Sequence, residues 1–242
     1  MRIFLLALAA GVLTDESAAA FLERQKSFPR VRDAFAAAES GLKSLYAKEK
    51  LSFPPKRIFL RAFKDERVLE LWGAEAEGSF KKLKSYPICY FSGQPGPKRR
   101  VGDLQVPEGF YEIDRFNPQS QFHLSLGLNY PNESDRILGV RGRLGGDIFI
   151  HGDCVSIGCL AMTDALIKEI YVAAALARGS GQAKIPVHFF PARLDEGVVE
   201  KLAPAEHRAF WRNLAEGYAL FEKEKVPPRP RVDRRGRYLF GP

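Results

Sequence analysis

Apolar residues recur every three or four positions in three parts of the chain, and each recurrence predicts an amphipathic helix. The first part runs from Pro29 to Lys50. The second follows Thr163, a residue type that caps helices, and ends at Gly179. The third covers residues 198–223, with a break at Pro204. The apolar faces consist of Val31, Phe35, Ala38, Leu42 and Leu45, then Leu166, Ile167, Ile170, Tyr171 and Ala174, then Phe210, Leu214, Tyr218 and Phe221.

Short apolar runs between these helices predict β-strands instead. They are bounded by charged turns or by Gly/Pro clusters such as residues 92–98. The runs are Ile58–Phe63, Val68–Trp72, Tyr86–Phe91, Phe122–Leu128, Ile148–Ile150 and Ile185–Phe190. Short strands at close spacing favour a mainly antiparallel β core. With helices before and after this core, the predicted fold class is α+β.

The two ends of the chain differ in composition from the rest. Residues 1–20 combine an early arginine, an apolar stretch and alanines at 18–20, which predicts a secretory signal peptide. A buried N-terminal helix is the alternative interpretation. The apolar stretch is too short to span a bilayer, so no transmembrane segment is expected in the mature chain. The last segment, residues 226–242, is rich in proline and arginine and is expected to be extended or disordered.

These boundaries divide the remainder of the chain into three parts. We expect an N-terminal helical segment over residues 21–54, a β-rich domain over residues 55–195 and C-terminal helices over residues 196–225. No internal repeat is visible.

Charge and cysteine content narrow the function classes. The net charge of +8 suggests an anionic partner. The basic residues are scattered apart from Lys98-Arg99-Arg100 and the tail, and no zinc finger, RNA-recognition signature or long basic helix argues for nucleic acid. Three cysteines do not make a disulfide framework. Their odd number leaves at least one free thiol in an exported chain, and catalysis is a reason to keep one.

The segment from Gly146 to Leu160 carries the clearest candidate chemistry. An apolar strand leads to His151, and Cys159 follows after Gly158. Cysteine attacks as the thiolate, and a neighbouring imidazole can take its proton. A glycine lets the backbone approach a substrate closely and frees N–H groups to face a developing oxyanion. Spacing alone leaves open a second interpretation, in which Cys159 is a small buried hydrophobic residue.

Two further interpretations compete for the same segment. One is a zinc site, although no CxxC pair or second histidine cluster completes it. Its ligands would be His151, Asp153, Cys154 and Cys159. The other is a disulfide between Cys154 and Cys159, which would inactivate the nucleophile. The third cysteine, Cys89, lies in a predicted strand and is interpreted as a small buried hydrophobic residue.

The remaining histidines have weaker signals. His123 lies in a predicted strand near Tyr130, where it either lines the cleft or is a polar residue satisfied on a strand face. His188 lies in an apolar strand and His207 in a charged helical segment, so a structural role is favoured for both.

His151-Gly152, a short gap and then Ser156-Ile157-Gly158-Cys159-Leu160 resemble the signature of the YkuD-type L,D-transpeptidases, cysteine enzymes that remodel peptidoglycan. The resemblance covers about residues 55–195 and is greatest to the YafK-like branch of the family. The further motifs are Arg61-Ala62-Phe63-Lys64, Leu69-Glu70-Leu71-Trp72, Tyr86-Pro87-Ile88-Cys89, Ser92-Gly93, Gly96-Pro97-Lys98, Gly102-Asp103, Pro107-Glu108-Gly109-Phe110-Tyr111 and Tyr130-Pro131-Asn132. The fold that the resemblance implies is a YkuD-like β-sandwich.

The resemblance also implies a mechanism without a metal or organic cofactor. Cys159 would attack the carbonyl of the L-centre of diaminopimelate in a stem tetrapeptide and expel the terminal D-alanine, while His151 moves the proton. The Gly152 carbonyl would orient the imidazole, and the amides of Gly158 and Cys159 would form the oxyanion hole. Candidate substrate contacts are Ser156, His123, Tyr130, Lys98 and Arg61, with Arg136 as a further cation. Ser156 could bond either the substrate or the loop, and an ordinary surface charge is the alternative interpretation of each of the three cations.

One departure from the family pattern leaves the acceptor open. Many members have a second histidine before the Gly-Cys pair, where this chain has Ile157 after a short gap. Attack by an amine would make a cross-link. Attack by water would make the protein an L,D-carboxypeptidase, an endopeptidase or an amidase that releases a peptidoglycan-linked protein. A non-catalytic wall-binding module that keeps the fold is a third alternative.

The partners implied by the resemblance are peptidoglycan stem peptides, with an outer-membrane lipoprotein linked to peptidoglycan as a further candidate. The implied location is the periplasm or cell envelope.

Overall fold

The computed structural model describes residues 17–241. The predicted signal peptide, residues 1–20, lies outside the described residues except for its last four positions. There, the Ser17 hydroxyl accepts a hydrogen bond from the Ala20 N–H at 3.2 Å and caps the first helix, α1 (Ala18–Lys26).

Periodicity located the long helices correctly. The other helices are α2 (Pro29–Lys48), α3 (Glu133–Leu138), α4 (Asp164–Gly179), α5 (Val198–Leu202) and α6 (Arg208–Glu224). The three predicted helical regions are confirmed as α2, α4 and the α5–α6 pair. The Thr163 side chain caps α4 by accepting the Leu166 N–H at 3.3 Å. Helix α3 was not predicted, because six residues are too few for a periodic signal, and a capping box between Asn132 and Asp135 begins it.

Eight strands form one curled, hydrogen-bonded sheet. They are β1 (Arg57–Phe63), β2 (Val68–Ala74), β3 (Lys81–Pro87), β4 (Gly109–Asn117), β5 (Ser125–Leu128), β6 (Phe149–His151), β7 (Leu160–Ala161) and β8 (Ile185–Phe190). Their order is β3-β2-β1-β8-β4-β5-β6-β7. The β1–β8 and β6–β7 pairs are parallel and the other neighbours are antiparallel. The predicted α+β class with a mainly antiparallel core and flanking helices is confirmed.

Helices cover both faces of the sheet, and strand β1 shows this clearly. Its alternate side chains point to opposite faces. Ile58, Leu60 and Ala62 belong to the large core that includes α2 and α4. Phe59 and Phe63 belong to two smaller clusters that they share with α6. Burying both faces explains why β1 reads as a continuous apolar run rather than an alternating one.

Two predicted strands are placed differently in the structure. The predicted strand Tyr86–Phe91 lies earlier in the chain, as β3, so Cys89 lies beyond the strand end. Strand β3 is an edge of the sheet and is lysine-rich, a composition that protects edges and conceals the apolar pattern. The predicted strand Phe122–Leu128 begins only at Ser125, and His123 lies in the preceding loop with φ +66°.

The C-terminal tail is ordered and largely extended, not disordered. Arg231–Val232 and Tyr238–Leu239 pair as a two-stranded sheet, β9 and β10. The Asn213 side chain on α6 binds both the N–H and the carbonyl of Tyr238, which is buried. Across residues 17–241, no helix is long and apolar enough to cross a membrane.

Candidate active site

The pairing of β6 with β7 brings the predicted base and nucleophile together. The parallel register pairs Ile150 with Leu160 and His151 with Ala161. Because strand side chains alternate between faces, Cys159 takes the same face as His151. The Cys159 Sγ accepts the Phe149 N–H at 3.4 Å. His151 thus ends β6, and Cys159, eight positions later in the chain, immediately precedes the neighbouring strand β7.

A backbone carbonyl fixes the orientation of the imidazole. The Nδ1 of His151 is 2.6 Å from the Gly152 carbonyl oxygen. Since a carbonyl only accepts, Nδ1 carries the proton, and Nε2 keeps the lone pair that a general base needs. Burial lowers the pKa of His151, while the Gly152 carbonyl and the Asp153 charge oppose that shift. The ring is therefore neutral at physiological pH.

A side chain at position 152 would crowd the surrounding groups, which approach the backbone closely. A Cβ there would lie 2.5 Å from Asp164 Oδ1 and 3.1 Å from the Phe122 carbonyl oxygen. The Gly152 N–H donates to that same carbonyl at 3.0 Å. Both backbone polar groups of Gly152 are thus hydrogen-bonded. The N–H is bound to the Phe122 carbonyl of a neighbouring loop, and the carbonyl is bound to His151 Nδ1.

The Cys159 thiol is partly buried and protonated at rest. Desolvation raises the pKa of the thiol, and the Phe149 N–H and the positive charge of Lys98 reduce that rise. With a raised thiol pKa and a lowered imidazole pKa, the resting pair is neutral rather than a thiolate and an imidazolium.

This neutral resting pair predicts a specific pH profile for alkylation. The thiolate is the reactive form, and its fraction increases as the pH approaches the raised pKa of Cys159. We expect the rate of iodoacetamide alkylation, measured without reductant, to rise about tenfold per pH unit from pH 6 to pH 9. A rate that is already level below pH 7 would instead indicate a preformed ion pair.

The two amides predicted to form the oxyanion hole are both engaged by Ser156. Its hydroxyl oxygen accepts the Gly158 N–H at 3.2 Å and the Cys159 N–H at 2.7 Å. The same hydroxyl donates to the Cys159 carbonyl at 2.7 Å. Gly158 has φ +127°, which side-chain-bearing residues rarely adopt. Ser156 therefore holds the loop in this structure, and the amides face its hydroxyl.

A disulfide joins Cys89 to Cys154, across 65 positions of the chain. The interpretation of Cys89 as a simple buried hydrophobic residue is therefore wrong, and Cys154 pairs with it rather than with Cys159. Cys159 is the free cysteine. The bond attaches the loop between His151 and Cys159 to the segment after β3.

Removing this disulfide should lower the stability of the fold and release the loop between His151 and Cys159. For the double variant Cys89→Ser/Cys154→Ser, we expect the free energy of unfolding in urea to fall by about 4 kcal/mol, given the length of the closed loop. Wild-type protein reduced with dithiothreitol should show the same loss. An unchanged urea midpoint in both samples would contradict this expectation.

Two of the predicted substrate-binding residues, His123 and Tyr130, lie in different surroundings. His123 is near the site: its Nδ1 lies 3.9 Å from Asp164 Oδ2, and its buried Nε2 has no hydrogen-bond partner among residues 17–241. Burial lowers the pKa of His123. Tyr130 is buried and its hydroxyl donates to the Leu144 carbonyl at 3.3 Å. Tyr130 therefore supports the loops rather than facing solvent.

Two of the three predicted cations, Lys98 and Arg61, are engaged by carboxylates of the protein itself. Lys98 is buried and paired with Asp103 at 2.6 Å. Arg61 is 2% exposed and lies between Glu70 at 2.9 Å and Glu222 at 2.6 Å. Both are held within the protein by these ion pairs, which supports a structural role for them. Lys98 still acts on Cys159 through its charge.

Two largely exposed loop segments, residues 99–101 and 140–146, are hydrogen-bonded to each other and form a small lobe. The lobe carries three exposed arginines, Arg100, Arg141 and Arg143. In the described part of the chain none of them has a carboxylate within ion-pair distance. The Val101 N–H donates to the Arg143 carbonyl at 2.6 Å, which joins the two halves of this lobe. The lobe leads directly to Asp147, whose carbonyl oxygen lies 3.6 Å from the Cys159 Sγ.

Phe122 is a site residue that the sequence did not indicate. Its ring lies over the His151 imidazole, with centroids 4.8 Å apart and planes inclined by 38°. In the sequence it resembles any apolar residue of a strand, so no local signal distinguishes it from core.

Among residues 17–241, no group of three or more His, Cys, Asp or Glu side chains is arranged to hold a metal ion. The disulfide also engages Cys154, one of the ligands of the zinc alternative.

Comparison with known proteins identifies the family. The family model for the L,D-transpeptidase catalytic domain, YkuD, matches residues 64–187, about half of the chain. The chain is also 38% identical over 184 residues to the protein named "Putative L,D-transpeptidase YafK" of Escherichia coli K12, covering 75% of this chain and 73% of that protein. The protein belongs to the YkuD family of L,D-transpeptidase catalytic domains.

Solved structures show more distant similarity to this family member. The helical cell shape determining protein Pgp2 of Campylobacter jejuni is 19% identical, with a TM-score of 0.46, over 76% of this chain and 75% of that one. Bdellovibrio bacteriovorus Bd1075 is 21% identical, with a TM-score of 0.40, over 68% of this chain and 56% of that one.

The matched family segment contains the described chemistry but not all of its surroundings. His151, Cys159 and the Cys89–Cys154 disulfide lie inside residues 64–187. Helices α1, α2, α5 and α6 lie outside it. The segment also lies within residues 55–195, the predicted catalytic domain.

Proposed function

We propose that this protein is a peptidoglycan L,D-transpeptidase that transfers an acyl group through a thioester on Cys159. The observation that carries the proposal is that a free, partly buried thiol shares a sheet face with an imidazole whose Nδ1 is bound by the Gly152 carbonyl. This arrangement leaves Nε2 of His151 as the base on the face that Cys159 shares. Family membership supplies the substrate class.

In the acylation step, His151 Nε2 takes the thiol proton as the Cys159 Sγ attacks. The attacked atom is the carbonyl carbon at the L-centre of diaminopimelate in a stem tetrapeptide. A C–S bond forms, the C–N bond to the terminal D-alanine breaks, and the imidazolium returns its proton to the departing amine. In the second step an acceptor amine forms the new amide, the C–S bond breaks, and the proton returns to Sγ through His151.

The oxyanion role of Gly158 and Cys159 requires the loop to rearrange. Both N–H groups donate to Ser156 Oγ at rest, so the hydroxyl has to turn away before they can donate to a developing oxyanion. The tether at Cys154 restricts the rest of this loop, which confines the change to residues 155–159. Ser156 is therefore proposed to act on the loop rather than on the substrate.

The charge of the exposed lobe fits the substrate. Stem peptides carry carboxylates, and among the described residues Arg100, Arg141 and Arg143 present unpaired positive charge on the lobe that precedes Asp147, a contact of Cys159. We propose these three arginines, in place of Arg61 and Lys98, as the cations that attract the stem peptide.

We propose export to the periplasm as the setting. The N-terminal sequence has the features of a signal peptide. A structural disulfide supports an oxidising compartment. A lipoprotein linked to peptidoglycan is a candidate second partner there.

Mass spectrometry of purified muropeptides incubated with the protein tests the proposed activity. Cross-linked dimers together with released D-alanine are the expected products. Tripeptides alone would replace transfer by L,D-carboxypeptidase activity, and release of a bound lipoprotein would replace it by amidase activity. No product, and no thioester on Cys159, would leave a wall-binding module as the remaining function.

A further inference from the structure

Arg30, near the start of α2, reaches a loop that lies beside the catalytic histidine. Its Nη1 donates to the Ser120 carbonyl at 2.6 Å and also to the His123 carbonyl. These bonds join positions that are 90 and 93 residues apart in the chain. Arg30 lies outside residues 64–187, the segment that matches the family.

The loop that Arg30 holds, residues 118–124, adopts a conformation that needs support. His123 has φ +66°, a left-handed value that is unfavourable for a residue with a β-carbon. The Arg30 guanidinium binds the carbonyl of this residue. Within the loop, the Phe122 N–H donates to Ser120 Oγ at 3.1 Å. The guanidinium and this turn together set where the Phe122 side chain lies.

The same loop is bonded to the peptide that orients the imidazole. The Phe122 carbonyl accepts the Gly152 N–H at 3.0 Å, and the Gly152 carbonyl in turn accepts from His151 Nδ1 at 2.6 Å. The Phe122 ring covers the imidazole itself. The absence of a Cβ at position 152 lets loop and catalytic strand touch directly. A shift of the loop therefore moves both the ring cover and the carbonyl that holds His151.

We propose that Arg30 is a positioning residue for His151, acting through residues 120–123 so that the N-terminal helical segment completes the active site. Arg30 touches neither His151 nor Cys159. Its effect is to keep the imidazole dry and its Nδ1 on the Gly152 carbonyl, which are the conditions for Nε2 to act as the base.

The charges around this loop determine how the test is designed. Asp153 is the charge that acts on His151. Asp164, Lys168, Arg30 and Asp33 act on the neighbouring His123. Removing the charge of Arg30 would therefore change His123 directly. The variant Arg30→Lys keeps the charge and a donor, so it separates loss of charge from loss of position.

The experiment compares Arg30→Ala with Arg30→Lys and with Arg32→Ala. Arg32 is the matched control, because it lies on the same helix as Arg30 but donates to the Ser27 carbonyl, at 2.7 Å, beyond the end of α1. The readouts are an NMR titration of the His151 ring and the rate of thioester formation with a stem tetrapeptide. For Arg30→Ala we expect the His151 midpoint to move upward, because exposure to water raises it by more than the loosened Gly152 bond lowers it, burial being the largest influence on this ring. We expect kcat to fall roughly tenfold to a hundredfold, as it does when catalytic groups are slightly misplaced.

Arg30→Lys should keep the His151 midpoint and the rate of thioester formation close to the wild-type values. Arg32→Ala should match the wild type in both. A wild-type His151 titration in Arg30→Ala would overturn the proposal, as would an equal shift in Arg32→Ala. Phe122→Ala should move the His151 midpoint in the same direction, and the double variant Arg30→Ala/Phe122→Ala should add little to it.

The kinetic arm rests on the proposed function, but the NMR arm does not. If the wild type forms no thioester while Arg30→Ala still shifts the His151 titration, the proposed function fails and the positioning role stands. If the wild type is active and the titration is unchanged, the positioning role fails alone.

Discussion

Replacing Cys159 by alanine is expected to abolish acyl transfer while leaving the fold intact. The side chain is only partly buried, and its sulfur contacts the Phe149 N–H and the Asp147 carbonyl, so few interactions are lost. Without Sγ no thioester forms, and we expect a rate loss on the order of 10⁴-fold or more. Product formation from muropeptides and the thermal midpoint are measured on the same preparation.

Cys159→Ser is the matched control, because it retains a hydroxyl of similar size that His151 would have to activate. We expect this variant to be nearly inactive as well, since a serine hydroxyl is a far weaker nucleophile than a thiolate near neutral pH. Intact-mass analysis without reductant should show one alkylated site in the wild type and none in either variant, because Cys89 and Cys154 are bonded. Retained function in Cys159→Ala would favour the wall-binding alternative.

Replacing Arg61 by alanine is expected to cost stability rather than substrate affinity. Arg61 is enclosed by Glu70, Glu222 and the ring of Phe221, which lies 4.6 Å from the guanidinium carbon. Glu70 is fully buried, and losing one partner of a buried ion pair costs about 3–5 kcal/mol. Urea unfolding should show a loss of that size, and KM at a temperature where the variant is folded should be unchanged.

Arg193→Ala provides the matched comparison. Arg193 pairs with the same Glu70 at 2.8 Å, but its side chain is 36% exposed. We expect a smaller loss, about 1 kcal/mol, because solvent partly replaces an exposed partner. The opposite result for Arg61, with an increased KM and an unchanged urea midpoint, would restore the interpretation that it binds a substrate carboxylate.

Local patterns predicted those parts of the molecule in which neighbours in sequence are neighbours in space. Helices α2 and α4 follow from apolar spacing, and the start of α4 follows from Thr163. The contact between His151 and the Gly152 carbonyl joins consecutive residues, so a short motif is enough to predict it. The lysine-rich edge strand β3 was misplaced because an exposed edge has no strict alternation to detect.

Contacts between distant positions could not be obtained from such patterns. The sign of Arg61 and Lys98 suggested substrate binding, but their burial depends on which acidic residues the fold brings beside them. Ser156 occupies the two amides expected to be free, because the loop turns its hydroxyl inward. Each of these outcomes follows from the packing of several elements at once.

Periodicity and short motifs were enough to predict the fold class, the long helices, the family and the candidate pair His151 and Cys159. The bond between Cys89 and Cys154, the burial of Arg61 and the reach of Arg30 to the loop over His151 arise from contacts between distant parts of the chain, and no local pattern predicted them. The physical reason is that a periodic pattern reports which face of an element is buried. Which residues meet across that buried face depends on the packing of the whole chain.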